Sequence, residues 1–500
     1  MLLLLAFSFP SWGLLSVLAM SLLWVGLREA NLASATVVGT VTGLVFFLGH
    51  LYWLDASIGR EAWVILAITQ TVYVMLACVA IRAVMVLPAA PLWCALIWTS
   101  VETLRASWPL GGMPWGRLGY SVVETPANGL LPALGVDGTS ATLALSGFLL
   151  GQTVSRAGSV RARLLSFAGA GGLIVTAIWL PVGQDSSGSL RVAVVQGGVP
   201  SDGTDLLRFH REVTRNHVSA TTTLAAQLRE RSRQVDLVLW PENSTAVDPM
   251  SDSSTRALLE DVTEELDAPL VFGGIADGPT SASAFNRTFI WDRGADRVQP
   301  RAAYTKQHLV PFGEYLPWRS LIEDWSPRFD MIPRDMLPGK NGQTATIAGT
   351  RLAVAICFDI AYDDVVPDQV RRGASAVLVQ TSNATFFGTG QLDQQLTITR
   401  ARALESARSV VVASTNGLSA VVAPDGRVRD SAPRGTTATL VSQIDLSESI
   451  TPAVAWQTAR QAGMAALTAL SIVAAAWLAS ARRTAAETTW RRSADRSRRG

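Results

Sequence analysis

The chain has 500 residues, of which 49% are hydrophobic and only 16% are charged. A typical soluble chain carries about 25% charged residues, so this composition excludes a disordered chain, a coiled coil and an ordinary cytosolic enzyme. The net charge of +2 hides an unusual basic composition, because Lys306 and Lys340 are the only lysines among the 42 basic residues. Basic patches with interleaved aromatic residues are absent from the sequence, so nucleic acid is not a predicted partner.

Long uncharged segments dominate the first 184 residues, and one more lies at 461–481. A helix that crosses a bilayer needs roughly 20 apolar residues. The segments predict about eight membrane helices, near 1–9, 11–27, 34–54, 62–82, 89–105, 138–155, 164–181 and 463–480. The first of them is too short to cross a bilayer as written. A signal peptide is not indicated, because the start has no basic region and no polar mature segment follows.

The positions of the arginines predict how these helices are oriented. Arg28, Arg82, Arg156 and the arginines of the C-terminal tail fall in alternate loops, all on one side if eight segments cross. That side is predicted to be cytoplasmic, which places residues 183–462 outside the cytoplasm. The tail at 482–500 carries seven arginines and is predicted to be cytoplasmic. Its composition fits a solvated, disordered end equally well.

The composition changes at a Gly- and Ser-rich linker, residues 183–188. Short segments rich in β-branched residues follow and predict strands at 190–196, 235–240, 270–273, 288–291, 352–356, 376–380, 410–414 and 419–423. Helix-like stretches at 205–231, 253–266 and 391–407 lie between several of them, and this alternation favours an α/β layered domain. We therefore divide the chain into membrane helices (1–182), a layered domain (183–462), a last membrane helix (463–481) and the tail (482–500).

Three motifs each sit just past a strand, and each carries a reactive side chain. Glu242 follows Trp240 and Pro241 at the end of one strand, Lys306 lies in the segment 304–315, and Cys357 comes directly after 352–356. Functional sites in open α/β sheets gather at the carboxyl ends of strands. We therefore expect the glutamate, the lysine and the cysteine to converge there.

This combination suits acyl transfer. A thiol is a good nucleophile only as a thiolate, and it needs a nearby base or cation. Glu242 is the candidate base for Cys357, and Lys306 is placed to lower the thiol pKa and to stabilise an oxyanion. In a chain that prefers arginine, a retained lysine indicates a place where a guanidinium does not fit.

Each of these residues has an ordinary explanation when it is taken alone. A cysteine after an apolar strand is usually a small core residue, and a single lysine is usually solvated. Cys78 and Cys94, inside predicted helices, are interpreted as packing residues, and three cysteines predict no disulfide framework. The four histidines show no metal-binding spacing, so a zinc site is not predicted. The order and context of all three residues together are far more specific.

The same residues carry a resemblance to a known family. The order Glu242, Lys306, Cys357 resembles the nitrilase, or carbon–nitrogen hydrolase, superfamily. With membrane helices on both sides, nearly the whole chain resembles the apolipoprotein N-acyltransferase family. The stretches that carry the resemblance are His308–Pro317, Trp240–Glu242, Ile356–Asp359, Thr381–Gly388, Arg402–Glu405, Thr415–Ser419 and Gly112–Tyr120.

The resemblance implies a fold and a set of residue roles. The fold is a multi-pass α-helical membrane domain of about eight helices with an α/β nitrilase-like αββα sandwich. Cys357 is then the nucleophile, Glu242 the general base, Lys306 the oxyanion-stabilising residue and Glu314 a supporting glutamate. The family commonly has Tyr and Glu after the nucleophile, whereas this chain has Phe358 and Asp359. The Trp that the family often carries on a mobile loop is absent from Pro200–Arg208.

The function implied is acyl transfer in a bacterial plasma membrane, with the catalytic domain on the extracytoplasmic side. An acyl chain would pass from a membrane phospholipid, through a Cys357 thioester, to the N-terminal amine of an S-diacylglyceryl-cysteine lipoprotein. No metal, nucleotide or organic cofactor is implied. One alternative is a membrane-anchored amidase of the same superfamily that gives the acyl group to water. Another is a transporter or binding protein with an inactive nitrilase-like domain, although all three catalytic positions are filled.

Overall fold

The computed structural model of the protein describes residues 1–154, 160–180, 186–199, 210–292, 300–340 and 342–497. Pro200–Arg208, where the family's loop Trp is missing, lies outside the described residues, as do residues 183–185 of the linker. Within the described residues, an N-terminal group of helices is followed by two β-sheets with flanking helices, and then by one long helix.

The N-terminal part is helical, because its long apolar segments leave the backbone to satisfy its own hydrogen bonds. Its helices are α1 (Leu2–Ser8), α2 (Leu15–Arg28), α3 (Leu32–His50), α4 (Trp53–Ser57), α5 (Arg60–Val84), α6 (Ala90–Arg105), α7 (Leu130–Val154) and α8 (Val160–Trp179). In the part of the chain that the structure describes, four helical regions are long and apolar enough to cross a bilayer: Leu32–His50, Arg60–Val84, Pro126–Val154 and Gln457–Ala485. Two further apolar helices are shorter, Leu15–Arg28 and Arg163–Trp179.

The layered domain contains two sheets. The first has strands β1 (Gly188–Gln196), β2 (Leu237–Leu239), β3 (Leu270–Asp277), β4 (Ser283–Trp291), β5 (Arg301–Thr305) and β6 (Asp335–Met336). The second has β7 (Ala345–Ile347), β8 (Thr350–Ile356), β9 (Val377–Thr381), β10 (Val410–Ser414), β11 (Ala420–Val422) and β12 (Val428–Ser431), and β13 (Ala438–Leu446) returns to pair with β1.

The first sheet is ordered β13-β1-β2-β3-β4-β5, with β6 beside β4, and the second is ordered β12-β11-β10-β9-β8-β7. Strands β1, β2 and β3 are parallel, as are β8, β9 and β10, so the loops after them open at the same edge of each sheet. All eight strands predicted from the sequence are present. Strands β5, β6, β7, β12 and β13 were not predicted, because their sequences mix polar with apolar residues.

The sheets pack face to face, and helices cover both outer faces. Val354 and Ile356 of β8 point toward Val192 and Leu237 of the first sheet, because side chains alternate along a strand. The outer face of the first sheet packs on α9 (His210–Glu230) and α10 (Ser253–Glu265). The short helix α11 (Arg319–Ile322) lies between β5 and β6 in the chain.

The outer face of the second sheet has a different neighbour. Helices α12 (Val366–Arg371) and α13 (Gln391–Ser406) cover it, and the same buried cluster continues into the N-terminal helices. The short α14 (Pro452–Ala455) then leads to α15 (Gln457–Ser497), which packs on α5 and α6. Helix α15 continues beyond the predicted 463–480 and through the Arg-rich residues, so the tail is helical as far as Ser497.

Candidate active site

Cys357 lies in a strained turn at the end of β8. Its backbone φ is 53°, in the left-handed region that non-glycine residues rarely adopt. The short 3₁₀ helix Cys357–Ala361 begins at this residue, so the chain reverses sharply as it leaves the sheet. The side chain is 7% exposed and contacts the core between the two sheets.

Glu242 follows β2 of the opposite sheet, beyond the buried Trp240. Its Oε1 accepts a hydrogen bond from Asn286 Nδ2 (2.7 Å), and its Oε2 accepts one from the backbone N–H of Ser382 (2.9 Å). Ser382 follows β9, so one oxygen is held by each sheet. The carboxylate is therefore fixed in orientation across the sandwich.

Lys306 follows β5 and is 2% exposed. Its Nζ lies 3.3 Å from Glu242 Oε1 and 3.0 Å from Glu314 Oε1. Burial lowers the pKa of Lys306, but the carboxylates of Glu242 and Glu314 outweigh burial and raise it well above its usual value. The two carboxylates therefore favour the ammonium form of Lys306 in this site.

Glu314 completes the carboxylate pair around the ammonium. Its Oε1 also accepts a hydrogen bond from Asn286 Nδ2 (3.0 Å), and its Oε2 accepts one from the backbone N–H of Val310 (2.9 Å). Asn286 thus bridges both glutamates from β4. Neither glutamate can swing away from Lys306 without breaking a buried hydrogen bond.

Burial raises the pKa of the Cys357 thiol to about 12, and the nearby Glu242 adds to this effect. Lys306 and a hydrogen bond with Thr381 act in the opposite direction but do not outweigh them. The sequence predicted that Lys306 would lower the thiol pKa, and its contribution has that sign. The net shift is upward, so the resting residue is a neutral thiol.

Asp359, the shorter replacement for the family's glutamate, is fully buried. Its Oδ2 accepts a hydrogen bond from the Tyr304 hydroxyl (2.8 Å), and its Oδ1 accepts one from the backbone N–H of His308 (2.9 Å). These donors flank Lys306 in the chain. Asp359 therefore ties the turn of Cys357 to the segment that carries the lysine. Burial raises the pKa of Asp359 above its usual range.

Phe358 lies at the edge of the site that faces the membrane helices. Its ring packs edge-on against Trp115, with centroids 4.8 Å apart, and also contacts Phe386 at 6.0 Å. The indole N–H of Trp115 is held by Gln394 Oε1 of α13 at 2.9 Å. A phenylalanine suits this apolar contact, because the hydroxyl of a tyrosine would be buried among aromatic rings.

The predicted residues are thus brought together, but several of their partners were not predicted. Asn286 lies inside a strand, and Tyr304 and Thr381 stand at the start of the segments 304–315 and Thr381–Gly388 but were given no role there. Cys78 and Cys94 lie fully buried in α5 and α6, apart from this site. Within the described residues, groups of three or more metal-binding side chains are not found.

Two family matches cover most of the chain. Residues 1–149 match the family described as "Apolipoprotein N-acyltransferase N-terminal domain", and residues 191–451 match "Carbon-nitrogen hydrolase". A protein of Mycolicibacterium smegmatis named "Apolipoprotein N-acyltransferase" is 33% identical over 476 residues, which cover 90% of this chain and 79% of the relative. The chain belongs to the apolipoprotein N-acyltransferase family.

Other members of the family show the same extent of similarity. A relative with that name from Pseudomonas syringae pv. tomato is 29% identical, and the alignment covers 90% of both chains. One from Pseudomonas aeruginosa is 30% identical over 460 residues, 88% of this chain and 80% of the relative. The family predicted from the sequence, the acyltransferase class, and the combination of a helical membrane domain with a nitrilase-like sandwich are confirmed.

Proposed function

We propose that this protein transfers an acyl chain from a membrane phospholipid to the N-terminal amine of an S-diacylglyceryl-cysteine apolipoprotein, with Cys357 as the nucleophile. The observation that carries this proposal is the convergence of a buried thiol, a doubly fixed carboxylate and a charged lysine, with Lys306 Nζ 3.3 Å from Glu242 Oε1. The relatives' name supplies the acceptor class, and the apolar helices supply a bilayer setting for both substrates.

The first half-reaction forms a thioester. Cys357 Sγ attacks the ester carbonyl of the phospholipid while Glu242 takes the thiol proton. The negative charge that develops on the carbonyl oxygen is stabilised by the ammonium of Lys306. When the tetrahedral intermediate collapses, the C–O bond breaks and the proton on Glu242 passes to the departing lysophospholipid oxygen. The high pKa of the thiol makes this coupling of proton transfer to attack essential.

The second half-reaction returns the site to its starting state. The acceptor amine attacks the thioester carbonyl, and Glu242 takes a proton from the nitrogen. The C–S bond then breaks, an amide forms, and the thiolate regains its proton from Glu242. Glu314 holds Lys306 in place throughout, and Asp359 maintains the distance between the lysine segment and the Cys357 turn.

We further propose that the catalytic domain lies on the extracytoplasmic side of a bacterial plasma membrane and that both chain termini are cytoplasmic. The alternate-loop arrangement of arginines supports this orientation. A reporter enzyme that works only in the cytoplasm should be active when it is fused after Arg482. Activity of a periplasm-dependent reporter at the same position would reverse the orientation.

The covalent intermediate provides the decisive test. Purified protein incubated with phospholipid and no acceptor should gain the mass of one acyl chain on the peptide that contains Cys357. Neutral hydroxylamine or an acceptor lipopeptide should remove it. Cys357→Ala should not form the acyl-protein because alanine has no nucleophile. Cys357→Ser should not form it because a serine hydroxyl is far less acidic than a thiol. Cys78→Ala and Cys94→Ala are the matched controls and should acylate normally.

Two results would contradict the assignment: full transfer by Cys357→Ala, or label on Cys78 or Cys94. The fate of the acyl group separates transfer from the amidase alternative. Label recovered on the peptide amine supports transfer, whereas label recovered only as free fatty acid, even with acceptor present, supports hydrolysis. The match of residues 1–149 to the apolipoprotein N-acyltransferase N-terminal domain favours transfer.

A further inference from the structure

The strained backbone at Cys357 requires support from its surroundings. A non-glycine residue with positive φ persists only where neighbouring structure over-determines the conformation. The strand β8 fixes the turn on its N-terminal side. On its C-terminal side, the segment Ile360–Asp363 is held by side chains that come from elsewhere in the molecule.

Two of these side chains donate hydrogen bonds to the same carbonyl oxygen. Arg402 of α13 donates from Nη2 to the backbone oxygen of Ala361 (2.7 Å) and from Nε to that of Ile360 (3.0 Å). The hydroxyl of Tyr120 donates to the Ala361 oxygen as well (3.1 Å). Tyr120 belongs to the loop between α6 and α7, so one of the groups that support the turn comes from the membrane part of the chain.

A second connection uses charge. Nη1 of Arg117, in the same loop, lies 2.8 and 2.7 Å from the two carboxylate oxygens of Asp363, and Arg402 Nη2 lies 2.8 Å from one of them. Burial raises the pKa of Asp363, but the two guanidinium groups outweigh it and hold the pKa well below its usual range. The carboxylate therefore stays ionised between two buried arginines.

The loop itself is fastened to the membrane helices. We call residues 112–120 the membrane loop. Arg105 of α6 donates to the backbone oxygen of Met113 (2.8 Å), and Glu102 of α6 accepts from the backbone N–H of Leu118 (3.0 Å). Gly119 approaches α7 so closely that a Cβ there would lie 2.3 Å from the backbone oxygen of Val136. The membrane loop is therefore a rigid extension of the N-terminal helices α1–α8, which we call the helix bundle.

We infer that the membrane loop positions the nucleophile, with Tyr120 and Arg117 acting as positioning residues through Ala361 and Asp363. The place of the Cys357 thiol relative to Glu242 and Lys306 then depends on the helix bundle as well as on the sheet. This inference rests on the proposed role of Cys357. It explains why the catalytic sandwich is joined to the bundle by buried hydrogen bonds that reach the active-site turn.

A purely structural role for these contacts makes a different prediction. If they only hold the two parts of the molecule together, their loss should lower thermal stability or change the KM for phospholipid. If they position the thiol, their loss should lower kcat for thioester formation and leave KM unchanged. An ion pair between Glu124 and Arg400 also joins the two parts but does not contact the turn, so it provides a matched control.

The test compares Tyr120→Phe, Arg117→Gln and Glu124→Gln in the full-length protein in detergent micelles with phospholipid. Tyr120→Phe removes one hydroxyl and should lower the rate of thioester formation about tenfold, the effect of losing one well-placed hydrogen bond. Arg117→Gln removes a buried charge partner, and misplacement of the thiol should lower the rate by up to about a hundredfold. Glu124→Gln should react at the wild-type rate.

Each outcome has a distinct meaning. Equal rates for Tyr120→Phe and Glu124→Gln, with both variants folded by their melting temperatures, would overturn the inference. An increase in KM with unchanged kcat would also overturn it and assign the contacts to substrate binding. If Arg117→Gln does not fold, Tyr120→Phe decides alone. Failure of the wild-type protein to acylate Cys357 would instead reject the proposed nucleophile.

Discussion

The two sheets of the catalytic sandwich contribute different chemistry and face different surroundings. The first sheet supplies Glu242 and Lys306, and its outer helix α9 is charged and amphipathic in sequence. The second sheet supplies Cys357, and its outer helix α13 packs against the membrane helices. Gln395 and Arg402 of α13 are buried although they are polar. The proposed acid–base residues therefore follow strands of the sheet that faces away from the membrane helices, whereas the proposed nucleophile follows a strand of the sheet that packs toward them.

Substitution of Lys306, the cation of the first sheet, is expected to give the largest loss of activity. Lys306→Arg keeps the charge but introduces a planar fork between Glu242 and Glu314, so it should displace the donor from the oxyanion. Loss of one such donor costs about a hundredfold to a thousandfold in kcat. Lys340→Arg is the matched control and should keep wild-type turnover in a lipopeptide acylation assay. Equal turnover of the two variants would remove the special role of Lys306.

The first sheet's base should give the next largest effect. Glu242→Gln keeps the shape of the side chain but cannot accept the thiol proton, so thioester formation should slow about a hundredfold or more. The amide oxygen can still accept the hydrogen bond from the Ser382 N–H, and substrate binding should be unchanged. Quenched-flow measurement of the acyl-protein with increasing phospholipid separates the rate from the KM. A change confined to KM would contradict the role of base.

The second sheet's thiol can be examined without substrate. Because its pKa is raised to about 12, the thiolate fraction at neutral pH is smaller than for an ordinary cysteine. The rate of Cys357 alkylation by iodoacetamide should therefore rise about tenfold per pH unit from pH 7 to pH 9.5 with no plateau. Mass spectrometry of the Cys357 peptide follows the reaction. A plateau below pH 9 would mean that Lys306 outweighs burial.

The smallest effect concerns the contact between the sheets. Gln380 of β9 donates to the backbone oxygen of Trp240 (2.6 Å) and accepts from Thr288 of β4, so it links the sheet of Cys357 to that of Glu242. Gln380→Ala leaves buried groups unpaired and should lower the free energy of unfolding by about 1–3 kcal/mol. Thermal unfolding in detergent measures it. Gln443→Ala, at an exposed position of β13, is the control and should leave the melting temperature unchanged. Equal melting temperatures for the Gln380→Ala and Gln443→Ala variants would contradict the link.

Much of the architecture could be predicted from local sequence. Apolar segments of membrane-spanning length gave the helices, and β-branched segments gave the central strands, because burial on both faces demands continuous apolar residues. Glu242 and Cys357 could be found because each follows a predicted strand, and Lys306 because a lysine is rare in a chain that prefers arginine. The less apolar strands β5, β7, β12 and β13 had no comparable signal.

The remaining features depend on contacts between residues far apart in the chain. Arg117 and Asp363 are 246 positions apart, and nothing in either neighbourhood indicates that they pair. Asn286 has the sequence of an ordinary strand residue until the fold places it between Glu242 and Glu314. The net pKa of the thiol also needed the structure, because it is a balance between burial and two nearby charges of opposite sign. The sequence thus indicated the candidate reactive groups, whereas contacts between the two sheets and with the membrane helices decided how those groups are held.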